Sequence, residues 1–266
     1  DVMGWLEDIV LGVVQGLTEF LPISSSGHLV VVPAVLGWDQ PSLTFDLVLH
    51  LGTLVAVLFA FRRDLLALLV GLFGGGPDPR RDRRMIGLLA LGSIPAGIAG
   101  LALGNEFESL FEEPLWVCLF WVVTAFILLG AERIIRAGVA RHDVDARRAA
   151  WIGVAQAAAI TPGISRSGTT IAAGVAQGMT REAAARFSFL LAIPAIIGAT
   201  ATRVTDLTSG RFDVTGPVVA GFVAAAISGW LAIEGFLSYL RTHSLRVFAV
   251  YLLIAAPVAA VIIELR

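Results

Sequence analysis

The sequence predicts an all-α integral membrane protein: six transmembrane helices plus two re-entrant helical hairpins, arranged as an inverted-topology repeat. Three observations carry that expectation. Of 266 residues, 57% are apolar and only 15% charged, against about 25% charged in an ordinary soluble domain. Six apolar runs, at about 45–61, 85–104, 115–131, 187–203, 216–238 and 247–263, have the length that a hydrocarbon core of roughly 30 Å demands of a helix. Two more apolar stretches, at about 8–36 and 150–176, are interrupted near their middles by Pro22-Ile-Ser-Ser-Ser-Gly27 and Pro162-Gly-Ile-Ser-Arg-Ser-Gly168.

A Pro or Gly break frees backbone groups that lipid cannot satisfy, so such a break must be buried in protein or face a wet cavity. Both broken stretches therefore read as hairpins that enter the membrane and turn back. They also resemble each other. A shift of 141 residues pairs Gly12, Val13, Gln15 and Ile23 with Gly153, Val154, Gln156 and Ile164, and Ser24, Ser26 and Gly27 with Ser165, Ser167 and Gly168. The sequence thus reads as a single polytopic domain over 1–266, with repeat 1 at about 1–140 and repeat 2 at about 141–266.

Each repeat holds one hairpin and three crossings, and an odd number of crossings inverts the second repeat relative to the first. Charge fixes the direction. All nineteen basic residues are Arg. Arg62, Arg63, Arg80, Arg81, Arg83, Arg84, Arg133, Arg136, Arg141, Arg147, Arg148, Arg181, Arg186, Arg241 and Arg246 fall on one side. Arg203, Arg211 and Arg266 fall on the other, with Glu106, Glu108, Glu112 and Glu113. By the positive-inside rule the Arg-rich side is cytoplasmic, the first hairpin enters from outside, and both termini lie outside. Trp5, Trp38, Trp116 and Trp151 stand near the ends of apolar segments, where interfacial anchors belong; Trp121 and Trp230 do not.

Several function classes drop out. The N-terminal residues lack the layout of a removable signal peptide. The lone Cys118 sits in an apolar run as packing, which leaves no internal disulfide and no thiolate metal cluster. No Gly-rich phosphate loop precedes a Lys, and no nucleic-acid motif is present.

Chemistry concentrates at the two breaks. The first contributes Glu19, Ser24, Ser25, Ser26 and His28, the second Ser165, Arg166, Ser167, Thr169 and Thr170. Ionisable residues at membrane depth are costly and point to function. Gln15 and Glu19 share one helix face at i and i+4, just before Pro22 helps to end that helix. Helix starts beyond each Ser present backbone N–H groups to an anion, and the planar fork of Arg166 suits phosphate oxygens. Together they describe a site for a phosphorylated headgroup. The bland alternatives are hydrogen bonds from the Ser and Thr hydroxyls to neighbouring helices, a purely structural Glu19–Arg166 pair and a packed His28. Asp46 and His50, four apart near the outer end of a crossing, line the same cavity or merely pack. Glu132 and Glu234 are expected to snorkel from helix ends.

Gln15-Gly-Leu-Thr-Glu19-Phe-Leu-Pro-Ile-Ser-Ser-Ser-Gly-His28 and Pro162-Gly-Ile-Ser-Arg-Ser-Gly-Thr-Thr170 resemble the two motifs of the undecaprenyl-diphosphate phosphatases, the bacitracin resistance family, and the crossing around Phe45-Asp46 is similar too. The resemblance implies hydrolysis of a long-chain isoprenyl diphosphate to its monophosphate at the outer face of a bacterial plasma membrane, stimulated by a divalent cation, Mg2+ or Ca2+. It makes Glu19, Ser25, His28 and Arg166 catalytic, and Glu19 and Gln15 metal ligands. Gln15, Ser24, Ser26, Gly27, Asp46, Ser165, Ser167, Gly168, Thr169 and Thr170 would then contact substrate. Gln15 stands where the family also uses Glu, and an amide is the weaker ligand. A homodimer is an admissible assembly. The rival reading is a lipid flippase or transporter, because broken helices meeting at the midplane of an inverted repeat also build transporters.

Overall fold

A computed structural model describes residues 2–108, 113–134, 141–202 and 215–266, with side chains except for those of residues 2–3 and 103–108. Within them the chain forms eleven α-helices: α1 (Val2–Phe20), α2 (Ser25–Leu36), α3 (Leu43–Ala60), α4 (Arg62–Leu72), α5 (Pro79–Glu108), α6 (Pro114–Ile134), α7 (Ala146–Ala158), α8 (Arg166–Ala176), α9 (Arg181–Thr202), α10 (Gly216–Leu240) and α11 (Arg246–Glu264). Six of these, α3, α5, α6, α9, α10 and α11, are long and apolar enough to cross a membrane. They coincide with the six expected runs, except that α5 and α9 begin six residues earlier. Hydropathy marks the lipid-facing length, and a helix continues past it wherever charged side chains carry its first turn into water. The stretch 62–84, which lies between two of the expected crossings, contains α4. Arg136, Arg203, Arg211 and Glu112, and the side chains of Glu106 and Glu108, lie outside the described residues.

Small residues set the helix contacts. The largest interface is that of α1 with α10. There a Cβ on Gly16 would stand 2.5 Å from the Ala225 carbonyl oxygen and 2.7 Å from the Gly229 nitrogen, so only a glycine lets the two backbones approach so closely. On α7, a Cβ at Gly153 would stand 3.0 Å from the Gly92 Cα of α5. Aromatic rings fill the remaining space. Phe189 of α9 meets Phe20 edge-on at 5.3 Å and Phe61 at 6.4 Å, which ties the end of α1 to α9 and the α3–α4 junction.

Two breaks interrupt this packing. α1 stops at Phe20, Pro22 cannot donate to a continued helix, and α2 restarts with the Ser24 hydroxyl accepting from the Gly27 N–H at 3.3 Å. α7 stops at Ala158, and α8 restarts with the Ser165 hydroxyl accepting from the Gly168 N–H at 3.0 Å. Gly163 takes φ +85 in the second break, and a Cβ there would stand 2.8 Å from both Phe120 Cβ and the Val117 carbonyl oxygen of α6. In the first break the positive φ falls on Ser24, at +70, the one non-glycine residue among those described to adopt it.

Glu132 does not snorkel. It is buried, its two oxygens accept from Arg181 Nε at 2.7 Å and Nη2 at 2.6 Å, and Oε1 also accepts from the Leu245 N–H at 2.9 Å. The pair therefore clips α6 to the starts of α9 and α11. Glu234, by contrast, is exposed.

Glu132→Ala leaves the Arg181 guanidinium and the Leu245 N–H unpartnered, and is expected to cost about 2–3 kcal/mol, read as a lowered Tm in detergent. Gly163→Ala must place a Cβ against α6 at an unfavourable φ. It should cost a further, independent ~1–3 kcal/mol, with thermal unfolding of the two single variants and the double variant checking additivity.

Candidate active site

The end of α1 buries a carboxylate. Glu19 is 7% exposed, and both of its oxygens accept hydrogen bonds, from its own helix and from groups at both breaks. Oε2 accepts from the Ser25 hydroxyl at 2.5 Å and from Gln15 Nε2 at 3.0 Å; Oε1 accepts from Arg166 Nη2 at 2.6 Å. His50 of α3 stands with Nε2 3.6 Å from Oε2. Ionised carboxylates survive such burial only when paired and hydrogen-bonded, and here three donors supply that compensation.

Arg166 reaches Glu19 from the first residue of α8, and its Nη1 also donates to the Ser188 carbonyl of α9 at 3.3 Å. An Arg carries five N–H donors, so these two bonds orient the fork without exhausting it. Thr170 supports it from the next turn: its hydroxyl donates to the Arg166 carbonyl at 2.7 Å and lies 2.6 Å from the Ser188 hydroxyl. The breaks are bonded directly as well, since the Ser167 hydroxyl donates to the Leu21 carbonyl at 2.8 Å. Thr124 of α6 holds the second break in place, donating to the Gly163 carbonyl at 3.3 Å and accepting from the Ser165 N–H at 3.2 Å.

The sequence-derived residues are thus largely brought together. Gln15, Glu19, Ser25 and Arg166 form one hydrogen-bonded group, and Ser24 with Ser26 and Ser165 with Ser167 line the two helix starts, their hydroxyls 3.4 and 3.2 Å apart. Gly27 and Gly168 supply the capped N–H groups, while the Thr169 hydroxyl turns back to the Ser165 carbonyl at 2.9 Å. Asp46 sits in the first turn of α3, its backbone carbonyl accepting from His50 Nδ1 at 2.8 Å. His28 is directed elsewhere: Nδ1 to the Ser24 carbonyl at 2.7 Å and Nε2 to the Tyr251 hydroxyl of α11 at 2.7 Å. Two clefts, of about 910 and 500 Å3, open near the Arg-rich helix ends and include none of these residues.

Sequence reading missed Ser188, Thr124 and Tyr251. Each is a polar residue inside an apolar span, the only signal that sets it apart, and a common one, because such hydroxyls usually bond within their own helix.

A cation site can be tested on the oxygen donors. Gln15 is fully buried, and its Oε1 has no hydrogen-bond partner. It is a hard oxygen beside the Glu19 carboxylate. Among the described residues no three His, Cys, Asp or Glu side chains cluster as a self-sufficient metal site. One carboxylate and one amide oxygen fit an ion such as Mg2+ that completes its shell with water and phosphate oxygens.

Comparison with known proteins shows the family. Residues 8–258 match the family model described as "Bacitracin resistance protein BacA". The chain is 42% identical over 260 residues to an undecaprenyl-diphosphatase of Methanosphaera stadtmanae, covering 92% of this chain and 93% of the relative. It is 42% identical over 257 residues to that of Moorella thermoacetica, covering 96% and 97%. Over 264 residues it is 42% identical to that of Desulfosudis oleivorans, covering 95% and 96%. The site built at the two breaks therefore lies in a chain that belongs to the bacitracin resistance family of undecaprenyl-diphosphatases.

Proposed function

We propose that the protein hydrolyses undecaprenyl diphosphate to undecaprenyl phosphate and inorganic phosphate, with Glu19, Ser25 and Arg166 at the reacting centre. The observation that carries the assignment of residues is the 2.5 Å bond from the Ser25 hydroxyl to Glu19 Oε2, with Arg166 held on the other oxygen of the same carboxylate.

A serine hydroxyl becomes a nucleophile when a base takes its proton. Glu19 is that base. As its Oε2 accepts the proton, Ser25 Oγ bonds to the terminal phosphorus, and the bond from that phosphorus to the bridging oxygen breaks. Undecaprenyl phosphate leaves, carrying the bridging oxygen, and water then attacks the phosphoserine to release phosphate and return the proton to Ser25. Arg166 and the N–H groups at the starts of α2 and α8 bind the phosphoryl oxygens and stabilise the charge they gain. For Arg166 this means exchanging its Glu19 contact for the substrate, which frees the carboxylate for the proton. Glu19 and Gln15 would hold a divalent cation, Mg2+ more readily than Ca2+ with so few protein oxygens, and such an ion would supply further charge neutralisation. Ser24, Ser26, Ser165, Ser167 and Thr169 line the headgroup, and Asp46 borders it from α3.

The broken helices are read as re-entrant hairpins of an inverted repeat, repeat 1 over about 1–140 and repeat 2 over about 141–266. Two features support this. The Ser24/Ser26/Gly27 hydrogen bonds recur at Ser165/Ser167/Gly168. Exchanging α1 with α7, α2 with α8, α3 with α9, α5 with α10 and α6 with α11 maps the α1–α10 contact onto α5–α7, α3–α10 onto α5–α9 and α2–α11 onto α6–α8. The Arg distribution supports an active site opening to the periplasmic side of a bacterial plasma membrane. The same inverted pattern favours, as a second reading, an isoprenyl-phosphate flippase or transporter.

Detergent-purified protein should release phosphate from undecaprenyl diphosphate, lose that activity with chelator and regain it with Mg2+. Glu19→Gln should lower kcat about 10²–10⁴-fold and Arg166→Ala about 10²–10³-fold. Full turnover by Ser25→Ala would remove the serine route in favour of direct attack by water, and no release by well-folded wild type would move the transporter reading ahead. In intact cells, single cysteines placed in 62–84 should resist membrane-impermeant thiol reagents; labelling there would reverse the proposed orientation.

A further inference from the structure

His28 and Tyr251 together hold a strained turn. The Ser24 peptide that leads into Ser25 has φ +70 and ψ 99, a conformation that is unfavourable for a serine and persists only where neighbours over-determine it. Its carbonyl takes two hydrogen bonds from a single residue: the His28 N–H at 3.2 Å and His28 Nδ1 at 2.7 Å. A carbonyl only accepts, so Nδ1 carries a hydrogen. The ring is 5% exposed and has no carboxylate within ion-pairing distance among the described residues, so a neutral imidazole is the economical form. Nε2 is then a lone pair, and the Tyr251 hydroxyl, 2.7 Å away, must donate to it. Neighbouring rings hold the ring plane: Trp121 lies 4.5 Å from it by centroids, tilted by 35°, and Tyr251 lies 5.8 Å away at 10°. Both ring nitrogens are spent, and neither reaches Ser25 or Glu19.

We propose that His28 is a positioning residue, which holds the Ser24 carbonyl through Nδ1–H and so aims the Ser25 hydroxyl at Glu19, and that Tyr251 fixes the tautomer that makes this possible. The inference deepens the reading above, on which Ser25 and Glu19 react. It assigns His28 no proton transfer, and it gives α11, which carries no other residue of the site, a part in it.

The test uses the geometry of amides. In His28→Asn the side-chain nitrogen occupies roughly the place of Nδ1 and can still donate to the Ser24 carbonyl, whereas His28→Ala donates nothing. With each variant eluting as monodisperse protein, His28→Asn should retain kcat within about tenfold of wild type and at least about tenfold above His28→Ala, with KM little changed. Tyr251→Phe should lower kcat at least about threefold in wild type and have no further effect in the His28→Asn background, because the amide needs no tautomer fixed. Nitrogen NMR of histidine-labelled protein should find His28 protonated at Nδ1 alone, with the Nε2 resonance moving on Tyr251→Phe. His28→Asn as inactive as His28→Ala, or a wild-type ring protonated at Nε2 alone, overturns the proposal. The NMR readout is independent of turnover: an inactive wild type with the Nδ1–H tautomer bonded to Tyr251 would count against the phosphatase reading while supporting the clamp.

Discussion

One buried carboxylate, Glu19, ties the two helix breaks together. Glu19 sits at the end of α1 with three donors on its two oxygens, one from its own helix, one from the start of α2 and one from the start of α8. Removing that charge from water costs several kcal/mol, which only the full set of donors offsets. The breaks in the two apolar stretches must therefore sit against each other. The Ser167–Leu21 bond and the Phe20–Phe189 contact hold them there. The same demand for compensation that brings the breaks together also brings a hydroxyl, a carboxylate and a guanidinium within bonding distance.

Around this centre the scaffold is rigid for a different reason. Lipid chains are as apolar as leucine, so burial against lipid does little to drive helices together, and close contact must come from packing and polar clips. Glycines on α1 and α7 permit the near approach of α10 and α5, and Glu132 with Arg181 and the Leu245 N–H joins three helices at the Arg-rich end. Among the described residues, a positive φ falls on a side-chain-bearing residue in one place. Ser24, next to the proposed nucleophile, takes the positive φ that the second break assigns to Gly163. A serine is tolerated there because its carbonyl and hydroxyl are both bonded, and it is retained where a glycine would give up the hydroxyl that caps α2.

Much was legible before any coordinates, because a bilayer constrains composition severely. Apolar length gave the six crossings, Pro and Gly marked the breaks, and charged residues at membrane depth singled out Glu19 and Arg166. The i, i+4 spacing that put Gln15 and Glu19 on one face holds as a 3.0 Å bond. Helix ends were less legible. α5 and α9 run past their apolar windows, and α4 lies in a stretch whose arginines read as loop, since hydropathy reports on lipid contact and says nothing about backbone hydrogen bonds made in water.

What the sequence by itself determined was which residues are expensive to bury, and hence where function must lie. What only the tertiary structure decided was how each cost is met. No spacing rule indicates that Glu132 finds Arg181 rather than water, that Thr124 of α6 cradles the second break, or that His28 turns away from Ser25 toward Ser24 and Tyr251. The reason is that the bonds to Arg181, to the second break and to Tyr251 join residues 39 to 223 positions apart. Their geometry follows from how the helices pack against one another, whereas the periodicity of a single helix fixes only contacts within a turn or two.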